Sequence, residues 1–166
     1  IKTVTGWRTI NILDLSVFGR MMYVNAFLRN PPDQEHDRIR AEHANIHHGY
    51  MIKDTAEILK TKFDYWTVTT DRKQNTFKFH DGLASIPDVC AMRQGGGLDC
   101  FEVECGNHNQ VDMHNKLTKL CRLDCRIIIV GQNRQIVGGI LKRQVETWIE
   151  KEWASLAPKD VEVYLT

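Results

Sequence analysis

Ile86-Pro87-Asp88-Val89-Cys90-Ala91-Met92-Arg93-Gln94-Gly95-Gly96-Gly97-Leu98-Asp99-Cys100-Phe101-Glu102-Val103-Glu104-Cys105 is the stretch on which the reading of this chain turns. It reads as two short strands joined by a glycine turn, because consecutive glycines suit a tight reversal that needs φ > 0. With Gly95, Gly96 and Gly97 as a three-residue loop, Gln94 faces Leu98, and the ladder pairs Asp88 with Glu104 and Cys90 with Glu102. Directly paired residues, and residues two apart on a strand, point to one side of a sheet. Asp88, Glu102 and Glu104 are therefore expected on one face. Val89, Ala91, Phe101 and Val103 form the other, which suits a core.

Three carboxylates that close must raise a pKa or bind a cation. A hard ion such as Mg²⁺ takes oxygen ligands and keeps several waters, so two or three acids on a rigid hairpin suit it. The plainer alternative is the polar, solvent-facing side of a half-exposed sheet.

The chain has 166 residues, 42% hydrophobic and 26% charged, with a net charge of +1. That is the composition of a globular domain large enough for a proper core. No apolar run approaches the ~20 residues of a membrane span, and the opening carries no signal-peptide pattern. The first residue is Ile, so an excerpt of a longer protein is expected, with the parent's other domains as partners and a homodimer left open. The near-zero charge gives no global pull toward nucleic acid, so any polyanion contact must be local.

Five cysteines, at 90, 100, 105, 121 and 125, form no C-x-x-C pair. This argues for reduced thiols and a cytoplasmic setting. A zinc cluster of Cys100, Cys105 and His108 fits poorly, since alternation puts the two cysteines on opposite faces and the spacing matches no standard pattern. His43 and His47 also have zinc-ligand spacing on a helix, but Ala44 stands where a metalloprotease would carry Glu.

Residues 11–29 read as mostly helical, with Leu15, Phe18, Met22 and Phe27 as buried positions, and Pro31-Pro32 then breaks the chain. A long helix is expected over 35–62, with Ile39, Ile46, Met51, Ile52, Ala56 and Leu59 as its apolar positions. Residues 65–69 and 76–79 read as strands. After the hairpin come a helix over 109–123, a buried strand over 126–130, a helix over 136–155 and a strand over 161–165. The order implies an α/β (α+β) fold, a mixed central sheet flanked by helices. We divide the chain into an N-terminal helical extension, 1–34, and a main domain, 35–166.

On the helix after the hairpin, Met113, Leu117, Leu120 and Cys121 make one apolar stripe. At 100° per residue, Lys116 lies about 80° from its centre and Lys119 about 140°. Lys116 is thus a border position whose stem can reach over the core toward the acids, whereas Lys119 should be solvated.

Pro87-Asp88, a hairpin, Glu102-Val103-Glu104, then a helix and a buried strand resemble the PD-(D/E)xK nuclease superfamily. The resemblance implies a restriction-endonuclease-like fold, Mg²⁺ (or Mn²⁺) held by two acids, and a lysine that helps position and activate the attacking water. Carried over, Asp88 is the first acid and Glu102 the second. Glu104 stands where the lysine is usual, and Lys116 matches a lysine moved onto the following helix. Ile86-Pro87-Asp88, Phe101-Glu102-Val103-Glu104-Cys105-Gly106 and Asn115-Lys116-Leu117 are also similar to the nuclease-like part of replication-relaxation proteins of mobile elements. Related nucleases often carry a further metal-binding acid on the upstream helix, where Glu42 sits. The resemblance covers about residues 40 to 130.

What it implies is a metal-dependent DNA endonuclease-like domain of a larger DNA-processing protein. Asp88, Glu102, Glu104 and Lys116 would be its catalytic residues, and Asp88, Glu102 and Glu42 its metal ligands. Glu104 could accept the water's proton and Lys116 could offset developing charge. Arg122, Arg126, Arg134, Lys142 and Arg143 are candidates for contacts to DNA phosphates. The alternative is a nuclease-fold module that no longer cuts and serves as a DNA-binding scaffold in replication or transfer.

Overall fold

The computed structural model describes residues 15–152 and the backbone of 164–165. Packing divides the chain into two compact units, Ile1–Gly49 and Tyr50–Thr166. The cut placed after residue 34 from the sequence marks the proline break, and the packing cut falls inside a helix.

In the first unit, α1 (Val17–Phe27) begins where the Ser16 side chain accepts a hydrogen bond from Gly19 N–H. Leu15, Phe18, Met22 and Phe27, expected to be buried, are all exposed, at 44%, 65%, 52% and 59%. A helical stripe shows where an apolar face lies and not whether anything covers it. Residues 11–14 of that expected helix lie outside the described residues. The helix expected over 35–62 is two helices, α2 (Glu35–Glu42) and α3 (Ile46–Lys62). The break comes from Asn45, whose side chain accepts from the N–H groups of His47 and His48 and so starts a new helix.

The second unit is built on a sheet of β1 (Tyr65–Thr69), β4 (Val89–Arg93), β5 (Leu98–Glu104), β6 (Cys125–Gly131) and β7 (Tyr164–Leu165), adjacent in that order. β1, β4 and β5 are antiparallel, while β5, β6 and β7 run parallel, so the sheet is mixed as expected. β2 (Phe77–Lys78) and β3 (Ala84–Ser85) form a small separate ribbon. α4 (Gln110–Leu120) links β5 to β6, and a π-helical turn (Ile136–Leu141) leads into α5 (Lys142–Glu152). Of the expected last strand only 164–165 fall within the described residues.

Both faces of the sheet are covered. Val89, Ala91, Phe101, Val103 and Ile128 pack on Ile52, Ala56 and Leu59 of α3. Cys90, Cys100, Ile127 and Ile129 pack on Met113, Leu117 and Leu120 of α4 and on Val145 and Trp148 of α5. Trp148 Nε1 donates to Thr118 Oγ1 at 3.1 Å, fastening α5 to α4. The solvent-facing alternative for the acid side of the hairpin is therefore excluded.

The hairpin register differs from expectation. Arg93 N–H donates to Gly97 O at 3.1 Å and Gly96 N–H to Arg93 O at 3.0 Å, so the loop is residues 94–96. Cys90 pairs with Cys100 and Val89 with Phe101, which excludes the expected pairing of Cys90 with Glu102. The loop still has three residues, so the alternation of faces survives the slide. Gly96 and Gly97 have φ of 84° and 94°, which side-chain-bearing residues avoid. Gly97 also leaves room for Arg93, whose Nη2 would lie 2.2 Å from a Cβ there. Arg93 folds over that gap, and its Nε reaches Asp99 Oδ1 at 3.3 Å.

Candidate functional site

β5 brings the acids to the C-terminal end of a parallel strand pair, since Glu104 lies level with Gly131 of β6. In open α/β sheets that end is where loops converge and ligands bind. Glu102 and Glu104 project from the face covered by α4, and both are buried, at 2% and 1% exposure. One turn of α4 supplies their counter-charge. Lys116 Nζ lies 2.6 Å from Glu102 Oε2 and 2.7 Å from Glu104 Oε1. Lys119 is exposed, as the helical phase predicted.

Asp88 joins this pair from the strand end. It stands at a bend just before β4, and its Oδ2 accepts from Val103 N–H at 2.9 Å, taking the place of a ladder bond. Its charge acts on both Glu102 and Lys116. Asn75, itself buried, donates Nδ2 to Pro87 O at 3.2 Å and so fixes the segment that carries Asp88.

Burial pushes the Glu102 carboxyl up to about 8, against the lowering pull of Lys116 and with the charges of Asp88 and Glu104 adding to the rise. Burial pulls the Lys116 ammonium down, but the charges of Glu102, Glu104 and Asp88 outweigh it and hold the group above its ordinary value. Glu102 Oε2 makes an ion pair with Nζ, yet it has no partner in hydrogen-bond alignment. A buried carboxylate oxygen in that condition has spare acceptor capacity.

His108 completes the cluster. It sits in the turn between β5 and α4, and its Nδ1 lies 2.5 Å from Glu104 Oε2. Gln144 of α5, which is buried, donates Nε2 to His108 O at 2.9 Å. Gly106, at φ 79°, makes the turn possible, and a Cβ there would stand 3.2 Å from Ile136. In the sequence His108 drew notice only as a zinc candidate. Its position four residues after Glu104, in a glycine turn, was the available signal.

Glu42 ends α2 and belongs to the Ile1–Gly49 unit, so the cluster described here consists of residues of the other unit alone. Cys100 lies in the core beside Cys90 and Cys125, while Cys105 Sγ meets Met51 Sδ at 3.5 Å on the opposite face. The two cysteines thus part as alternation required. Among the described residues no three His, Cys, Asp or Glu side chains are grouped to hold a metal ion.

A second polar cluster was not foreseen. Asp99, on the α3 side of the sheet, is fully buried. Arg126 Nε donates to its Oδ1 at 3.1 Å, Arg126 Nη2 binds its Oδ2, and Tyr65 Oη donates to Oδ2 at 2.7 Å. Burial, then the hydrogen bond to Asp99, pushes the Tyr65 phenol up to about 12. Arg126 is thereby engaged in holding the sheet together. Arg122 is engaged too: its Nη1 donates to Asp81 Oδ2 at 2.8 Å, and its guanidinium lies over the Phe79 ring. Lys142 pairs with Glu146 at 3.7 Å. Arg134 opens the helical segment that follows β6, a strand whose last residue, Gly131, lies level with Glu104.

No described helix is long and apolar enough to cross a membrane. Compared with known proteins, the chain matches no protein-family model, no curated protein and no solved structure.

Proposed function

We propose that the Tyr50–Thr166 unit is a metal-dependent DNA endonuclease-like domain that hydrolyses phosphodiester bonds, part of a larger DNA-processing protein of a mobile element. The observation that carries this reading is Lys116. From the helix after the hairpin, it brings its ammonium 2.6 Å from Glu102, which supports a lysine moved onto that helix where Glu104 replaces the usual one. A lone surface lysine snorkels. One set between two buried carboxylates at a strand end, with Asp88 beside them, is built into a site.

The donor set fits Mg²⁺ or Mn²⁺. Asp88 and Glu102 offer hard oxygens, Glu102 Oε2 has no aligned hydrogen bond, and Mg²⁺ is commonly held by one or two carboxylates with several waters. Bound there, the ion would neutralise the phosphate and acidify a water. The chain's own contribution is to hold the two acids rigidly, through Val103 N–H on Asp88 and through α4 on Glu102. Lys116 keeps positive charge where charge develops on phosphate oxygens. Arg134, at the start of the helical segment after β6, follows the strand end level with Glu104 and is suited to a backbone phosphate.

A second reading is favoured by the same ion pairs. Lys116 neutralises Glu102 and Glu104 from within the protein, as a silent nuclease-fold module that binds DNA as a scaffold would require. Cleavage of labelled single-stranded, double-stranded and branched DNA with Mg²⁺, Mn²⁺ or EDTA, together with Mn²⁺ calorimetry, separates the two. The nuclease reading expects metal-dependent cleavage that Asp88→Ala abolishes while the fold survives. Cleavage undiminished in that variant, or equal in EDTA, refutes it. DNA binding with no cleavage selects the scaffold.

A further inference from the structure

Hydrolysis needs a group that takes the proton of the attacking water, and the sequence offers Glu104 for that task. The geometry removes it. Glu104 is buried, its Oε1 meets Lys116 Nζ at 2.7 Å, and its Oε2 meets His108 Nδ1 at 2.5 Å. Lys116 has only donors to offer, and Glu102 is, with Asp88, a residue that would hold the ion. His108 is different. Its side chain is 46% exposed. A carboxylate accepts only, so the Glu104 contact places the ring hydrogen on Nδ1 and leaves Nε2 as an acceptor. Among the described residues Nε2 has no hydrogen-bond partner.

We infer that His108, oriented by Glu104, is the proton-accepting residue of this site, with Nε2 turned toward the water that attacks a phosphodiester. This rests on the nuclease reading. A carboxylate that fixes the tautomer and aim of a histidine is the arrangement by which acid–base sites orient their base. Three further contacts hold the ring's position: Gln144 on the His108 carbonyl, Asn109 capping α4 at the next residue, and the Gly106 turn. Glu104 also links His108 to Glu102 through Lys116 by contacts of 2.5, 2.7 and 2.6 Å. In the step itself, Nε2 takes a proton from water as the water oxygen bonds to phosphorus and the P–O ester bond breaks. The departing alkoxide takes a proton from solvent, and the imidazolium returns its proton to solvent.

The test compares wild type, Asp88→Ala, His108→Ala and His108→Gln under Mg²⁺ with the labelled DNA that wild type cleaves. Gln can still donate to Glu104 but cannot take a proton. Both His108 variants should lose about 100-fold or more in kcat, the usual contribution of a general base, with KM nearly unchanged. Added imidazole should restore part of the rate to His108→Ala and none to Asp88→Ala. Should His108→Ala fail to fold, the kcat-against-KM split in His108→Gln decides. Full activity in either folded variant, or a loss confined to KM, overturns the role of His108 while leaving the nuclease reading intact. Absence of cleavage by wild type overturns both.

Discussion

Replacing Lys116 by Met tests whether the acid cluster is held by charge or merely decorated by it. Met keeps most of the stem that packs along α4 and removes only the ammonium shared by Glu102 and Glu104. Both carboxylates are almost wholly excluded from water, so breaking the pair strands buried charge, at a cost of about 3–5 kcal/mol. For a chain of this size that corresponds to a melting temperature lower by roughly 6–20 °C. The sign of the pH dependence follows from Glu102. Its folded pKa of about 8 lies above the ordinary 4.5, raised first by burial. The protonated form is therefore favoured in the fold: its stabilisation is complete below 4.5 and is lost as pH climbs through 8. Without Lys116 the carboxyl rises further, so Lys116→Met should be far weaker than wild type at pH 8 and much closer to it at pH 5. Thermal denaturation monitored by circular dichroism at the two values measures this. A variant within ~2 °C of wild type at pH 8, no more than the shift of about 1 kcal/mol, or one with the same deficit at both pH values, refutes the reasoning.

Two other substitutions probe what places the site. Gly97→Ala should destabilise by about 1–3 kcal/mol, because it forces a side chain into a positive-φ position and into Arg93; an unchanged denaturant midpoint would show that the turn relaxes freely. Asp99→Asn should cost about 1.5–3 kcal/mol by weakening the charge-assisted hydrogen bonds of Arg126, and should return the Tyr65 phenol from about 12 toward its ordinary value, readable by ultraviolet titration. A Tyr65 titration that does not move would mean burial alone sets it.

Alternation along the two strands and helical phase on α4 were enough to separate the acids from Val89, Ala91, Phe101 and Val103, and to choose Lys116 over Lys119. These are local periodicities fixed by backbone geometry, and they survive even when a loop slides by one residue. The mixed sheet with flanking helices was legible for the same reason: β6 carries the apolar run Ile127-Ile128-Ile129-Val130 because both its faces are covered. Register was not legible, because three adjacent glycines offer several equivalent places for the turn, and the choice came with Arg93 lying over Gly97 to reach Asp99. Nor was the exposure of α1, since amphipathic spacing does not say whether a second surface exists. Asp99 with Arg126, and Glu104 with His108, lie outside any periodic pattern. Each pair is joined across a strand boundary or a turn, and only the folded chain decides which charge meets which. The sequence alone thus determined which faces carry the acids, the core and the lysine. The tertiary structure decided that the acid face is buried, that one lysine serves two carboxylates, and that a histidine closes the cluster, because desolvation and pairing exist only once α4 and α5 have covered the sheet.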